Sequence, residues 1–332
     1  MPSSDLTNIS FLIFPGFPMA CLTSMIEPLR AANEIAGTRT FDWQLMSETG
    51  AAVTSSARVV FEPDAALQDM VMSEILILLS GPQGQFSNPS RSNAALRRFD
   101  RAGVILGGIS GGVFPLVKAG VMEGHRCSVH WCYEAAFKSE FPTILATDDV
   151  IVMDRRRYTA SGAAAAFDLA LRLIEERLDA GIAHEVACWF QHPTMRGEGI
   201  RQRVPMKTTP DPALPTLVAR AVDLFVGRMD DPISIGDVAD QLGVTPRQIE
   251  RAFKKATGQS PSHYYRSIRM AAARQLVLYS KDSVGQIASA VGYMTSTPLV
   301  AHYRKAFGVT PQEDRDRMNA FRVEGNTPLP SI

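Results

Sequence analysis

The chain has 332 residues and no apolar run long enough to span a bilayer; Ile75–Leu79 has only the length of a strand. Met1–Ser10 lacks a cationic stretch followed by an apolar one, so no secretory leader is expected. Cysteine is scarce. Cys21, Cys127, Cys132 and Cys188 are scattered, and the single C-x4-C spacing matches no metal-ligand pattern. Neither a metal nor a cofactor is expected, and free thiols of this kind suit a reducing cytoplasm. Net charge is absent too, with 34 Lys and Arg against 34 Asp and Glu. What remains is a composition ordinary for soluble proteins and a length sufficient for two domains, each with its own core.

A doubled text organises the C-terminal third. Phe253-Lys254-Lys255-Ala256-Thr257-Gly258-Gln259-Ser260-Pro261 returns fifty residues later as Tyr303-Arg304-Lys305-Ala306-Phe307-Gly308-Val309-Thr310-Pro311. Upstream, Val238-Ala239 and Leu242-Gly243 correspond to Ile287-Ala288 and Val291-Gly292. Each unit reads as a short apolar helix, a glycine turn, a polar cap and a second helix. That is the layout of a helix-turn-helix, whose second helix enters a DNA major groove. In the first unit Thr245 can cap, Pro246 suits the first helical position, and Ile249 and Phe253 form the inward face. Arg247, Gln248, Arg251, Lys254 and Lys255 are left for DNA. The second unit offers Thr295, Ser296 or Thr297 as cap, Leu299 and Tyr303 inward, and His302, Arg304 and Lys305 outward.

The charges are unevenly distributed. Between Thr245 and Thr310 lie ten cations, including Arg266, Arg269, Arg274 and Lys281, against only Glu250 and Asp282. That segment nets +8, so the remainder carries −8, the electrostatic footprint of a nucleic-acid-binding segment on an acidic protein.

The N-terminal part alternates apolar strands with helices. Strands are expected at Ile9–Phe14, Phe41–Ser47, Val53–Phe61, Glu74–Leu79, Gly103–Gly107, His125–Val129, Val150–Met153 and around Tyr158. Helices are expected at Cys21–Ala36, kinked or restarted at Pro28, at Pro89–Arg101, after Gly112, and at Ser161–Ala180. This predicts a parallel sheet covered on both sides, with ligands at the carboxyl ends of its strands. The prolines 193, 205, 210, 212 and 215 mark a linker. The expected division is a sensing domain over 1–190, a linker over 191–212, a helical domain over 213–317 and a disordered tail over 318–332. Helices at Leu217–Met229 and Ser262–Ser280 open the second domain and join its two units.

The doubled unit, with Gly258-x-Ser260-Pro261, Gly292-Tyr293, Tyr303-Arg304 and Gly308-x-Thr310-Pro311, resembles the AraC/XylS regulator domain. The N-terminal part is similar to PfpI-like, class I glutamine amidotransferase-like sensor domains with a flavodoxin-like parallel sheet. Together the halves look like GlxA-type regulators. Phe14-Pro15-Gly16-Phe17 and Glu27-Pro28-Leu29-Arg30-Ala31-Ala32-Asn33 resemble the branch that senses arginine, carnitine, glycine betaine and related amines. The resemblance implies a homodimer working with RNA polymerase on double-stranded DNA, and activation of a nearby operon. It also implies a nucleophile elbow. Catalytic relatives carry Cys there, with a Glu from the first helix and a His from a later strand; here Ser110, Glu27 and His130 stand at those places. Serine is a poorer nucleophile than a thiolate and no carboxylate is placed to orient His130, so a binding role is favoured over hydrolysis.

A pocket for an amino-acid-like ligand needs an anion site and a cation site. The Ser110-Gly111-Gly112 turn, with backbone N–H groups at a helix N-terminus, is expected to supply the first. Glu27 with Trp131, Phe17 or His130 is expected to supply the second. The second unit departs from the family pattern, which has a His-Phe pair and then a cation where this chain has Pro298-Leu299 and Ala301. The first unit is therefore expected to carry more of the sequence readout. Arg304 and Lys305 are expected to contact phosphates.

Overall fold

The computed structural model describes residues 6–320 apart from 71–72, 83, 193–195, 197–198 and 203–213, and the chain divides into two compact units after Gln202. Most of the expected linker and the end of the expected tail lie outside the described residues.

The first unit runs β1 (Thr7–Ile13), α1 (Met19–Ala36), β2 (Phe41–Ser47), β3 (Val53–Thr54), β4 (Val60–Phe61), β5 (Ala65–Ala66) and β6 (Ile75–Ser80). It continues through α2 (Pro89–Arg101), β7 (Ile105–Ser110), α3 (Val113–Lys118), β8 (Arg126–Ser128), α4 (Glu134–Glu140) and β9 (Leu145–Thr147). It ends with β10 (Ile151–Asp154), β11 (Arg157–Ala160), α5 (Ala163–Arg177) and α6 (Ala180–Trp189). Seven strands form one sheet in the order β10-β11-β7-β6-β1-β2-β5, parallel except for the β10–β11 pair. Two apolar cores explain why its strands read as continuous hydrophobic runs. Ile9, Phe11, Ile75, Ile77 and Leu79 pack against α1, α5 and α6. Leu12, Leu76 and Leu78 face the opposite way, onto Leu96 and Phe99 of α2, Phe114 of α3 and Phe137 of α4. Alternation along each strand thus fills both faces, as a covered parallel sheet requires.

Several boundaries depart from the sequence reading for local reasons. Val53–Phe61 is a hairpin, closed where Ser55 N donates to Val59 O. The α1 helix runs unbroken through the buried Pro28. The last long helix stops at Arg177, because Asp179 caps a new one by accepting from Ile182 N at 2.9 Å. The first unit also extends past the boundary expected at 190. The Asp168 carboxylate accepts from His192 Nε2 at 2.8 Å and from Arg196 Nε at 2.8 Å. Further on, Val150 N donates to Ile200 O, and Gln202 N to Asp148 O.

The second unit comprises α7 (Thr216–Gly227), α8 (Ile235–Leu242), α9 (Pro246–Thr257), α10 (Pro261–Tyr279), α11 (Val284–Ala290), α12 (Ser296–Phe307) and α13 (Pro311–Ala320). The last helix carries order two residues beyond Met318, where the tail was expected to begin. Phe225, Val238, Ile249, Phe253, Tyr264 and Ile268 build the core of its first half. The repeat is legible in the caps of its first helices: Ser234 accepts from Asp237 N at the start of α8, and Ser283 from Gln286 N at the start of α11. Gly258 and Gly308 end α9 and α12 in the left-handed conformation, at φ 73° and 76°. Among the described residues, no helix is long and apolar enough to cross a membrane.

Candidate functional site

The two helix-turn-helix units turn the same faces inward: Ile249 and Phe253 in α9, and Leu299 and Tyr303 in α12, are fully buried. Arg247, Gln248, Arg251, Lys254 and Lys255 are exposed on α9, and Thr297, Arg304 and Lys305 are exposed on α12. Within these faces the roles divide. Thr245 closes the N-terminus of α9, accepting from Gln248 N at 3.3 Å, whereas Thr295 holds the cap position of α12 without a side-chain hydrogen bond. Lys254 Nζ donates to Gly258 O at 3.0 Å and so caps its own helix. His302 is only partly outward, because its Nδ1 meets the Tyr293 hydroxyl at 2.8 Å.

The basic footprint is smaller than the sequence count. Arg269 donates from Nε to Val291 O at 2.6 Å and from Nη2 to Gly292 O at 2.7 Å, holding the end of α11. Arg274 pairs with Asp314, which also accepts from the Tyr303 hydroxyl at 2.8 Å. Both arginines hold the fold together. Arg315, which the sequence reading passed over, is fully buried and donates to carbonyls of Leu276, Val277, Ser280 and Asp282. Four backbone acceptors at the end of α10 balance its charge.

In the first unit β7 delivers Ser110 to a strained elbow. Ser110 is 4% exposed and holds φ 58°, a left-handed value that costs a non-glycine residue about 1–2 kcal/mol. Neighbouring backbone enforces the turn: a Cβ on Gly112 would stand 1.9 Å from Leu78 O. The expected anion site is not formed by the groups named for it. Gly111 N donates to Ser80 O at 2.8 Å and Gly112 N to Ile109 O at 2.9 Å, so both N–H groups are already engaged.

The remaining pocket candidates separate. His130 lies beside Gly162, which follows β11 at the same end of the sheet as Ser110. Its Nδ1 accepts from Cys132 N at 3.3 Å and meets Cys132 Sγ at 2.8 Å. Burial lowers the pKa of His130. A neutral ring accepting at Nδ1 carries its proton on Nε2, which is the wrong tautomer for a base acting through that atom. Trp131 and Tyr133 flank the ring, each centroid 5.4 Å away. Gln202 holds this loop: Trp131 N donates to Gln202 Oε1, and Gln202 Nε2 to Val129 O, both at 2.8 Å. Glu27, by contrast, is half exposed in a surface ladder, accepting from Arg30 Nε at 3.0 Å. Arg30 in turn reaches Glu34. Phe17 is fully buried against Phe61, so its ring face is covered.

A cleft of about 230 Å³ opens at the carboxyl ends of β1 and β2, lined by Phe14, Ser47, Glu48, Thr49, Val53 and Phe86 among others. Glu48 accepts from Ser87 N, Asn88 N and Ser92 Oγ, so its carboxylate sits at the start of α2. Nothing in the local sequence signals this, since Glu48 meets its partners about forty residues away. Among the described residues no cluster of three or more His, Cys, Asp or Glu could hold a metal ion.

Comparison with known proteins agrees with this division. The DJ-1/PfpI family profile matches residues 8–176, and a helix-turn-helix domain profile matches residues 238–317. HTH-type transcriptional regulator GbdR of Pseudomonas aeruginosa is 32% identical over 311 residues, covering 93% of this chain and 84% of that one. HTH-type transcriptional regulator GlxA of Rhizobium meliloti is 28% identical, covering 95% of this chain and 97% of that one. An AraC family transcriptional regulator from Pseudomonas putida, of known crystal structure, shares the fold. Its TM-score is 0.51 at 23% identity, over 55% of this chain and 99% of that one. The chain belongs to the HTH-type transcriptional regulators that join a DJ-1/PfpI domain to an AraC-type DNA-binding domain.

Proposed function

We propose that the first unit is a sensor for a small amine or amino-acid-like metabolite of the arginine, betaine or carnitine class. The observation that carries this reading is an elbow kept in its strained form without the means to react. Ser110 holds φ 58° at the same end of the sheet as His130, whose Nδ1 is engaged by Cys132 and which no carboxylate contacts among the described residues. A backbone held in this state without a catalytic base favours binding over turnover. The effector lies at the carboxyl edge of the sheet, with Ser110, His130 and Trp131 as its contacts, the edge on which the Glu48 cleft also opens. Its binding biases the affinity of the second unit for double-stranded DNA. Arg247, Gln248 and Arg251 read base edges there, while Arg304 and Lys305 hold phosphates. The chain acts in the cytoplasm as a homodimer and activates transcription through RNA polymerase.

Thermal melting of the full chain against amino acids, betaines and carnitine-like compounds tests the sensor. A true effector raises the transition of the first unit with concentration, by about 2.7 kcal/mol at a hundred times Kd. A flat response to every compound tried refutes the effector class. A second reading, hydrolysis by Ser110, requires turnover of an amide or ester that Ser110→Ala abolishes.

A further inference from the structure

The recognition helices share a scaffold residue for residue, so their outward faces can be matched at a spacing of fifty. Arg247 corresponds to Thr297, Gln248 to Pro298 and Arg251 to Ala301, while Lys254 and Lys255 correspond to Arg304 and Lys305. Because Leu299 and Tyr303 are buried as Ile249 and Phe253 are, the same positions face outward in both helices. Thr297 and Ala301 stand one turn apart on the exposed side of α12, opposite the buried pair. Pro298 is exposed beside them, and Met294, in the turn that enters the helix, is 101% exposed.

This face cannot do what α9 does. Arginine at 247 and 251 can donate two hydrogen bonds to guanine, but alanine and proline side chains donate none. Apart from the Thr297 hydroxyl, what Thr297 and Ala301 present is a methyl group each. In the major groove the thymine C5-methyl is the base feature that apolar side chains recognise, and the threonine methyl and alanine are suited to it. The placement is also right, since the first residues of a recognition helix meet base edges and Thr297 is the second residue of α12. Scattered exposed apolar residues are ordinary on a protein surface. Here they occupy the reading positions of a helix whose next turn carries exposed Arg304 and Lys305.

We propose that α12 reads thymine: Thr297 and Ala301 pack their methyl groups against thymine C5-methyls, with Pro298 and Met294 extending the apolar strip. Arg304 and Lys305 bind the adjacent phosphates. The operator therefore has two unlike halves about one helical turn apart, one read by hydrogen bonds from α9 and the other by methyl contacts from α12. The inference rests on α12 entering a major groove.

The test selects duplexes from a random library with the full chain and assigns the α9 half as the one whose preference Arg251→Ala relaxes. In the other half each thymidine is then replaced by deoxyuridine, which pairs identically and lacks only the methyl. Binding is expected to weaken roughly fourfold per contacted thymine, the affinity equivalent of burying one methyl-sized group. Thr297→Ser removes the protein methyl at an exposed site while keeping the hydroxyl. It is expected to produce the same loss on the thymine duplex and no further loss on the uracil duplex. A selected site indifferent to uracil overturns the inference alone, as does Thr297→Ser weakening both duplexes equally. A library that yields no preferred sequence overturns groove entry itself, and the inference falls with it.

Discussion

Arg269 counts toward the +8 of the basic segment, yet its contacts make it a structural residue. Its guanidinium donates to Val291 O and Gly292 O at 2.6 and 2.7 Å, and its Cζ lies 4.2 Å from the Tyr293 ring centroid. Arg269→Met keeps the apolar stem and removes both donors. Hydrogen bonds from a charged group are worth about 1.5–3 kcal/mol each, and the cation–π contact about 0.5–2. Water reaches the half-buried site and methionine recovers some packing, so the net loss is expected at about 2–4 kcal/mol. For a unit of this size that lowers the second unit's melting transition by about 10–20 °C. Lys305→Ala is the counterpart: Lys305 is exposed, so stability is expected to move by no more than about 0.5 kcal/mol. DNA binding measured between about 50 and 200 mM salt separates the two, because a lost phosphate contact shallows the log–log slope by about 0.9. Arg269→Met is expected to melt early and keep its slope, and Lys305→Ala the reverse. Unchanged melting for Arg269→Met with a slope shallower by about 0.9 would refute the assignment.

Glycine positions offer a contrast in cost. Gly258→Ala meets open space and pays only the left-handed strain, about 1–2 kcal/mol, whereas Gly112→Ala drives a Cβ to 1.9 Å from Leu78 O and is expected to cost more than about 4 kcal/mol, read as loss of the first unit's melting transition. Burial lowers the pKa of His125, His130 and His302, so in weak acid the unfolded chain binds more protons than the folded one. Stability should fall as pH drops through about 6.5, and His130→Phe should flatten that fall; melting temperatures that rise on acidification would contradict it. Burial pushes the Cys21 and Cys127 thiols up to about 12, and Cys132 is also buried, so only Cys188 is exposed. A thiol reagent should modify one cysteine in the native chain and four after denaturation, and Cys188→Ser should remove the native reaction.

The parts of the fold that the sequence disclosed are those whose causes are local. Thr245, Pro246 and Gln248 cap α9 within four residues, and Gly258 ends it, so the repeat announced its turns. The strand at Ile75–Leu79 read as buried because both of its faces are covered. The cations were misallocated because charge carries no address. Arg269 finds its acceptors 22 and 23 residues away, and Arg274 its carboxylate 40 residues away. At the ligand edge the motif groups Glu27 and Phe17 with the elbow, whereas the period of α1 turns Glu27 toward Arg30 and the core holds Phe17 against Phe61.

The boundary between the units shows the same limit at larger scale. Residues 191–202 read as linker because they alternate polar residues, Gly and Pro without a period. Yet Gln202 is only 8% exposed and bonds to residues 71 and 73 positions earlier, while Arg196 reaches the buried Asp168 28 positions earlier. The described residues of this segment need no helix or strand propensity: Ile200 and Gln202 find backbone partners in Val150 and Asp148, and Arg196 and Gln202 find side-chain partners in α5 and the His130–Trp131 loop. Aperiodicity therefore marked the absence of a regular element and left open whether the segment was tethered. Gln202 is the last described residue of the first unit. Because it bonds directly to the loop that carries His130 and Trp131, a shift of the Trp131 backbone must either carry the Gln202 side chain with it or break a 2.8 Å hydrogen bond.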